Sequence, residues 1–256
     1  MPVAAVISSL LVAIGGTAMT EVTPAQERAY EALIELGVTL NAPFDLNDVV
    51  TYEDPAIRWS IEHGFLVMDE ASPPAGQNNE QAAASGLIWT MGREWLPDNI
   101  MELDPREQLA REPVFFSNDV ALIDFECIED DGSYVRLLGE LMRLGEGIVA
   151  VSNARDSFAS WEVRESGGGE AVLEFEFGGE LRRWTMQLDF DWVDPLFFVR
   201  FDQLVEAADP TKRLYSFNDG GQSDLFFIAS PSTAADLARL VGEPVRDWRS
   251  FRGEIQ

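Results

Sequence analysis

The sequence predicts an α+β protein: an antiparallel sheet of hairpins with helices packed on one face, preceded by a smaller, mainly helical N-terminal region. Three observations predict it. The stretch Ala171–Trp192, AVLEFEFGGELRRWTMQLDFDW, alternates apolar and polar residues on either side of Gly178-Gly179, which is the pattern of a β-hairpin. Tyr134, Leu137, Leu138, Leu141 and Leu144 recur at helical spacing. Thr-Pro, Asp-Pro and Ser-Pro pairs mark helix starts along the chain, and glycines mark the ends.

Taken in order, residues 1–18 form an apolar run, PVAAVISSLLVAIGG after the first Met. It is too short to span a membrane comfortably and lacks a basic n-region, so it reads as a misassigned start or a weak signal segment, with Met19 as the alternative start. Residues 19–115 form the mainly helical region. Thr23-Pro24-Ala25-Gln26 fits a capping box opening a helix near 24–36, and Asp54-Pro55 opens another with Ile57, Trp59 and Ile61, ended by Gly64. A short strand is expected at Phe65–Asp69. Residues 71–84, ASPPAGQNNEQAAA, read as a loop or linker, and the apolar segment 86–103 fits strand and helix equally. Asp104-Pro105 opens a short helix through Ala110.

Residues 120–242 form the α+β domain. Ala121–Ile128 alternates as a strand with Ile123, Phe125 and Cys127 on one side, and a turn at Glu129–Gly132 leads to a helix capped by Ser133. Strands at Ile148–Ser152 and Phe158–Glu165, with Trp161 and Val163 on one face, precede the Gly178-Gly179 hairpin. A two-residue Gly-Gly loop supplies the positive φ of a primed turn, setting Phe177 opposite Glu180 and Leu173 opposite Trp184. One hairpin face then carries Leu173, Phe175, Phe177, Trp184, Met186, Leu188 and Phe190. The other carries Glu174, Glu176, Arg183, Gln187, Asp189 and Asp191. Asp194-Pro195 begins a helix with Phe197, Phe201, Leu204 and Val205; a second hairpin joins Arg213–Phe217 to Asp224–Ala229; and Ser230-Pro231 caps a last helix ended by Gly242. Residues 243–256 are expected as a tail.

With 46% hydrophobic residues the 256-residue chain is too apolar for disorder. Its formal charge of −27 repels nucleic acid and anionic lipid and steers cationic partners inward. Cys127 is the only cysteine, so neither an intrachain disulfide nor a thiolate metal cluster forms. His63, the only histidine, sits where an imidazolium favours a helix C-terminus, and Cys127 falls on an apolar strand face, so a Cys–His dyad is not expected. Neither a phosphate loop, a nucleophile elbow nor a zincin motif is present. The best carboxylate set is Asp189, Asp191 and Asp194, which fits a solvated strand face followed by a helix cap; its alternative reading is a divalent-metal site.

Trp192, Arg213, Tyr215, Gly220-Gly221-Gln222 and Pro231 mark a strand ending in Trp, a helix, an Arg-x-Tyr strand, a Gly-Gly-Gln turn and a Pro-capped final helix. In these marks the chain resembles a group of small bacterial proteins of unknown activity, which in turn resemble the immunity partners of secreted toxins. The resemblance implies a non-enzymatic, acidic protein-binding module that neutralises a basic protein partner such as a toxin; no cofactor is expected, and the single cysteine and the start at Met19 favour a reducing, cytoplasmic setting. Export is the alternative if residues 1–18 are a signal segment. The expected interface is Glu174, Glu176, Asp189 and Asp191 on the hairpin, with Asp130, Asp131, Asp219 and Gln222 at the turns. The alternative function is a metal-dependent hydrolase or transferase using Asp189, Asp191 and Asp194.

Overall fold

The computed structural model of the chain describes residues 21–62, 77–158, 168–218 and 220–253, and the backbone divides into two compact units. One runs as far as Val120 and takes in Asp236–Glu243; the other comprises Ala121–Ala235 and the chain from Pro244 on. Residues 1–18, His63, Gly64, the expected strand Phe65–Asp69 and Trp161 and Val163 lie outside the described residues.

The first unit is mainly helical, with α1 (Pro24–Glu35), α2 (Leu46–Thr51), α3 (Pro55–Glu62), α4 (Asn79–Met91) and α5 (Pro105–Ala110). A small antiparallel ribbon joins β1 (Glu94–Trp95) to β2 (Val114–Phe115). The capping box at Thr23 and Gln26 is present, and the same reciprocal device opens α2 (Asp45, Asp48), α4 (Asn78, Gln81) and α5 (Asp104, Glu107). Helix α4 corrects the expected linker, since residues 79–84 are its first turns. It also resolves 86–103, which continues α4 to Met91 and then forms β1 and a 3-10 turn at Ile100–Glu102. Ala84, Ser85, Leu87, Ile88, Trp89 and Met91 are all buried, so α4 is apolar around most of its girth and shows no stripe for periodicity to detect.

Strand β3 (Val120–Asp124) is shorter than expected and is followed by helix α6 (Ser133–Leu144). The capping of α6 is tertiary. Gly132 holds the N-cap position in a left-handed conformation, and the Asp156 carboxylate accepts from Gly132 N (2.5 Å) and Val135 N (3.2 Å). The two short strands expected after α6 are replaced, as far as the chain is described, by one strand β4 (Val151–Phe158). A register shift between Ser152 and Arg155, with Asn153 at φ 54°, re-aims it along the hairpin. The hairpin is β5 (Glu170–Phe177) and β6 (Glu180–Gln187), with Phe177 opposite Glu180 and Leu173 opposite Trp184; Gly178 and Gly179 have φ of 61° and 79°.

Helix α7 (Leu196–Ala208) leads to β7 (Arg213–Asn218), β8 (Ser223–Ala229) and helix α8 (Pro231–Val241). Strands β4, β5 and β6 form one three-stranded sheet. A separate four-stranded sheet has the order β3-β8-β7-β9, where β9 is Val245–Asp247. The expected tail is therefore sheet: β9 pairs antiparallel to β7, and Trp248 behind it is 2% exposed. Gly242 closes α8 at φ 77°, where a Cβ would lie 3.0 Å from the Gln81 side chain, and Gln77 and Gln81 donate to the last carbonyls, Val241 O and Arg239 O.

The core of the second unit is one contiguous cluster. The α6 stripe Tyr134, Leu137, Leu138 and Leu141 meets Leu173, Phe175 and Met186 of the hairpin, Phe197, Phe198 and Phe201 of α7, and Phe226 of β8. A line of rings runs through it: Trp184 to Phe197 (5.8 Å), Phe197 to Phe198 (5.6 Å), Phe198 to Phe226 (4.6 Å) and Phe226 to Trp248 (5.6 Å). Helix α7 thus packs against both sheets.

One buried carboxylate ties β9 to the β7–β8 hairpin. Asp224, fully buried, accepts from Ser216 Oγ (2.5 Å), Asn218 Nδ2 (2.7 Å) and Arg246 Nη1 (2.8 Å), while Trp248 Nε1 donates to Ser216 Oγ (3.0 Å). The Arg246 guanidinium also lies over the Trp248 and Phe251 rings. Replacing Asp224 with Ala strands the donors of Ser216, Asn218 and Arg246, so Asp224→Ala is expected to cost about 3 kcal/mol of unfolding free energy in urea titration. Asp224→Asn, which keeps an acceptor, is expected to cost less.

Candidate functional site

The outward-facing amide of the last residue of β6, at the edge of its sheet, is taken by a side chain. Gln187 N donates to Asp194 Oδ2 (2.8 Å), Asp194 Oδ1 accepts from Leu196 N (2.9 Å) at the start of α7, and Asp194 N donates to Tyr134 Oη (3.1 Å). Asp194 is a structural tie between strand, helix and α6. Between Gln187 and Asp194 the chain makes a tight turn, with Trp192 N donating to Asp189 O (3.0 Å). Phe190 sits in that turn at φ 53°.

This geometry overturns the expected placement of Phe190. Alternation puts it on the apolar face with Leu188, which is buried, but the left-handed turn swings it out to 55% exposure, and Trp192 beside it is 37% exposed. A bulky residue in the left-handed region costs about 1–2 kcal/mol, and an exposed ring recovers little of that by burial.

The turn is stitched to a second loop. Ile128 N donates to Asp191 O (2.9 Å), Val193 N donates to Phe125 O (2.8 Å), and Phe125 N donates to Gln222 O (2.8 Å). The chain at 125–128 therefore runs alongside 191–193 on one side and meets the tip of the β7–β8 hairpin at Gln222. These bonds gather the carboxylates of Asp124, Glu126 and Asp191. The Glu126 carboxyl is held above its ordinary value, first by desolvation and then by the charges of Asp191 and Asp124, while a hydrogen bond from the Gln222 side chain pulls the other way.

Of the eight interface residues expected from sequence, Asp189, Asp191 and Gln222 come together at this turn. The others do not. Glu174 is clamped by Arg155 (2.7 Å) and Arg183 (2.7 Å), which hold its carboxyl below the usual range, Arg155 contributing most. Glu176 faces Ser152, and Asp130 is paired with Arg136 (2.6 Å). Asp131 accepts from Phe158 N (3.1 Å), and Asp219 lies outside the described residues. Among the described residues Glu126, Asp189 and Asp191 form no ion pair.

Glu126 and Asp124 are the residues that sequence reasoning missed. Their signal is the same alternation that puts Ile123, Phe125 and Cys127 inward, since it turns Asp124 and Glu126 outward.

Among the described residues no three acidic, histidine or cysteine side chains converge to hold a metal ion. The Asp189, Asp191 and Asp194 set is not assembled, because Asp194 spends both oxygens on backbone amides. The Cys127 thiol packs against the core and is pushed up to about 12 by burial, which leaves it protonated and a poor nucleophile. No helix among the described residues is long and apolar enough to cross a membrane. Compared with protein-family models, curated proteins and solved structures, the chain matches none.

A carboxyl raised in the folded state binds its proton before the unfolded chain does. Its charged form therefore weakens the fold above the folded value, and the penalty fades as pH falls through that value toward the ordinary glutamate range. Glu126→Gln is expected to raise the thermal midpoint at neutral pH, with the gain shrinking as pH is lowered through that window in a calorimetric pH series.

Proposed function

We propose that this protein is a non-enzymatic, acidic protein-binding module that takes a basic protein partner, in the manner of a bacterial immunity protein neutralising a toxin. The observation that carries the reading is the turn Asp189–Trp192 with its neighbours. There, among the described residues, Glu126, Asp189 and Asp191 make no ion pair and lie at a turn with two exposed aromatic rings, whereas Glu174 and Asp130 are already neutralised by arginines. Interfaces draw their affinity from exposed aromatics and their encounter rate from charge of opposite sign. The formal charge of −27 adds a long-range field that attracts such a partner.

The marks shared with uncharacterised bacterial proteins, Trp192 and Gly220-Gly221-Gln222 among them, support the same reading, and two of them lie at this surface. A cytoplasmic site of action goes with it, since the chain's single cysteine makes no intrachain disulfide that would need an oxidising compartment.

The test is to mix the protein with a basic toxin encoded beside its gene. A stoichiometric complex and loss of toxin activity are expected, with the association rate falling at least about tenfold as salt rises from about 0.05 to 0.3 M. A toxin that stays fully active with this protein in excess overturns the reading.

A further inference from the structure

We infer that the turn Asp189–Trp192 is an arginine-recognition site, in which the exposed faces of Phe190 and Trp192 receive a guanidinium from a basic partner protein and Glu126, Asp189 and Asp191 neutralise it. The inference rests on the protein-binding reading above and names the group that the same surface takes.

Four features of the turn favour this occupant. Two rings are displayed within three residues, one of them held outward by a backbone conformation that its type rarely adopts. Aromatic faces attract cations, and a guanidinium, planar and weakly hydrated, stacks on them better than an ammonium does. The surrounding carboxylates are close enough for Asp191 and Asp124 to perturb Glu126, yet among the described residues they do not converge on a metal-sized point. Separated acceptors suit a cation whose donors are spread over a fork rather than a spherical ion. Finally, the turn is anchored through its backbone, by Asp191 O and Val193 N to the 125–128 loop, so its position does not depend on the Phe190 and Trp192 rings. An extended or helical segment rich in arginine is the complementary surface.

The probe is an acetylated, amidated peptide of arginines spaced by glycines, with its lysine counterpart, titrated calorimetrically into the full chain at moderate salt. Asn tolerates the left-handed conformation, so Phe190→Asn removes the ring while keeping the turn, and it is combined with Trp192→Ala. The arginine peptide is expected to bind the native chain at least about tenfold tighter than the lysine peptide. The F190N/W192A chain is expected to lose at least about tenfold in arginine-peptide affinity together with the preference. Removing two charges elsewhere, by Glu27→Gln with Glu31→Gln on α1, is expected to leave both within about twofold. A thermal midpoint of F190N/W192A at or above native excludes unfolding as the cause.

Equal binding of the arginine peptide to native and F190N/W192A chains overturns the site while leaving the basic-partner reading standing. Equal affinity for arginine and lysine peptides overturns guanidinium recognition. Failure of both peptides to bind the native chain removes the site and counts against the basic-partner reading as well.

Discussion

Helix α7 carries more apolar surface than one neighbour can cover, and that excess shapes the whole second unit. Phe197, Phe198, Val199, Phe201, Leu204 and Val205 are all buried, on more than one side of the helix. Each such side chain is worth about 1.5–3 kcal/mol only when removed from water. The helix therefore needs both sheets, with Trp184 of the hairpin against Phe197 and Phe226 of β8 against Phe198. Buried within that helix, Asp202 accepts from Leu214 N (3.0 Å) and so sets where β7 begins. The helix thus sits between a three-stranded and a four-stranded sheet, and one buried polar tie fixes it to the second.

The acidity of the chain has a similar internal use. Asp45, Asp54, Asp104 and Asp194 accept from amides at helix starts, Asp156 caps α6 from a neighbouring strand, Asp209 and Asp247 close turns, and Asp119 accepts from the distant Thr39 N (2.8 Å). A carboxylate at a helix N-terminus meets unpaired N–H groups and the positive end of the helix dipole, so many of these charges are structural before they are electrostatic. Among the described residues, the side chains of Asp189, Phe190, Asp191 and Trp192 serve none of these purposes. A residue as bulky as Phe190, held at positive φ and turned to solvent, is a local cost that the packing around it does not repay.

Local signals were legible where chemistry acts within a few residues. Gly178-Gly179 and strict alternation specified the β5–β6 register to the residue, and Thr23 with Gln26 and Asp104 with Pro105 specified helix starts. Helix α4 escaped because an alanine-rich segment buried nearly all round has no hydrophobic stripe. β9 escaped because Val-Arg-Asp is too short to alternate and is held by a pair, Arg246 with Asp224, that are 22 residues apart. The cluster at the Asp189–Trp192 turn is legible in part: alternation and turn residues point to Asp189, Asp191 and Gln222, and only the fold brings Glu126 beside them.

The sequence by itself determined the α+β class, the hairpins, most helix starts and an acidic character, since each follows from periodicity, capping and composition. Only the tertiary structure decided which carboxylates are spent and which are displayed. Glu174 and Glu176 alternate onto the same hairpin face as Asp191, yet Arg155 from a strand 19 residues away occupies Glu174, while one left-handed residue ends the strand and turns Phe190 and Trp192 outward. Alternation tells on which side of a strand a charge lies. Whether an arginine from elsewhere in the chain reaches it depends on long-range packing, which no local pattern records.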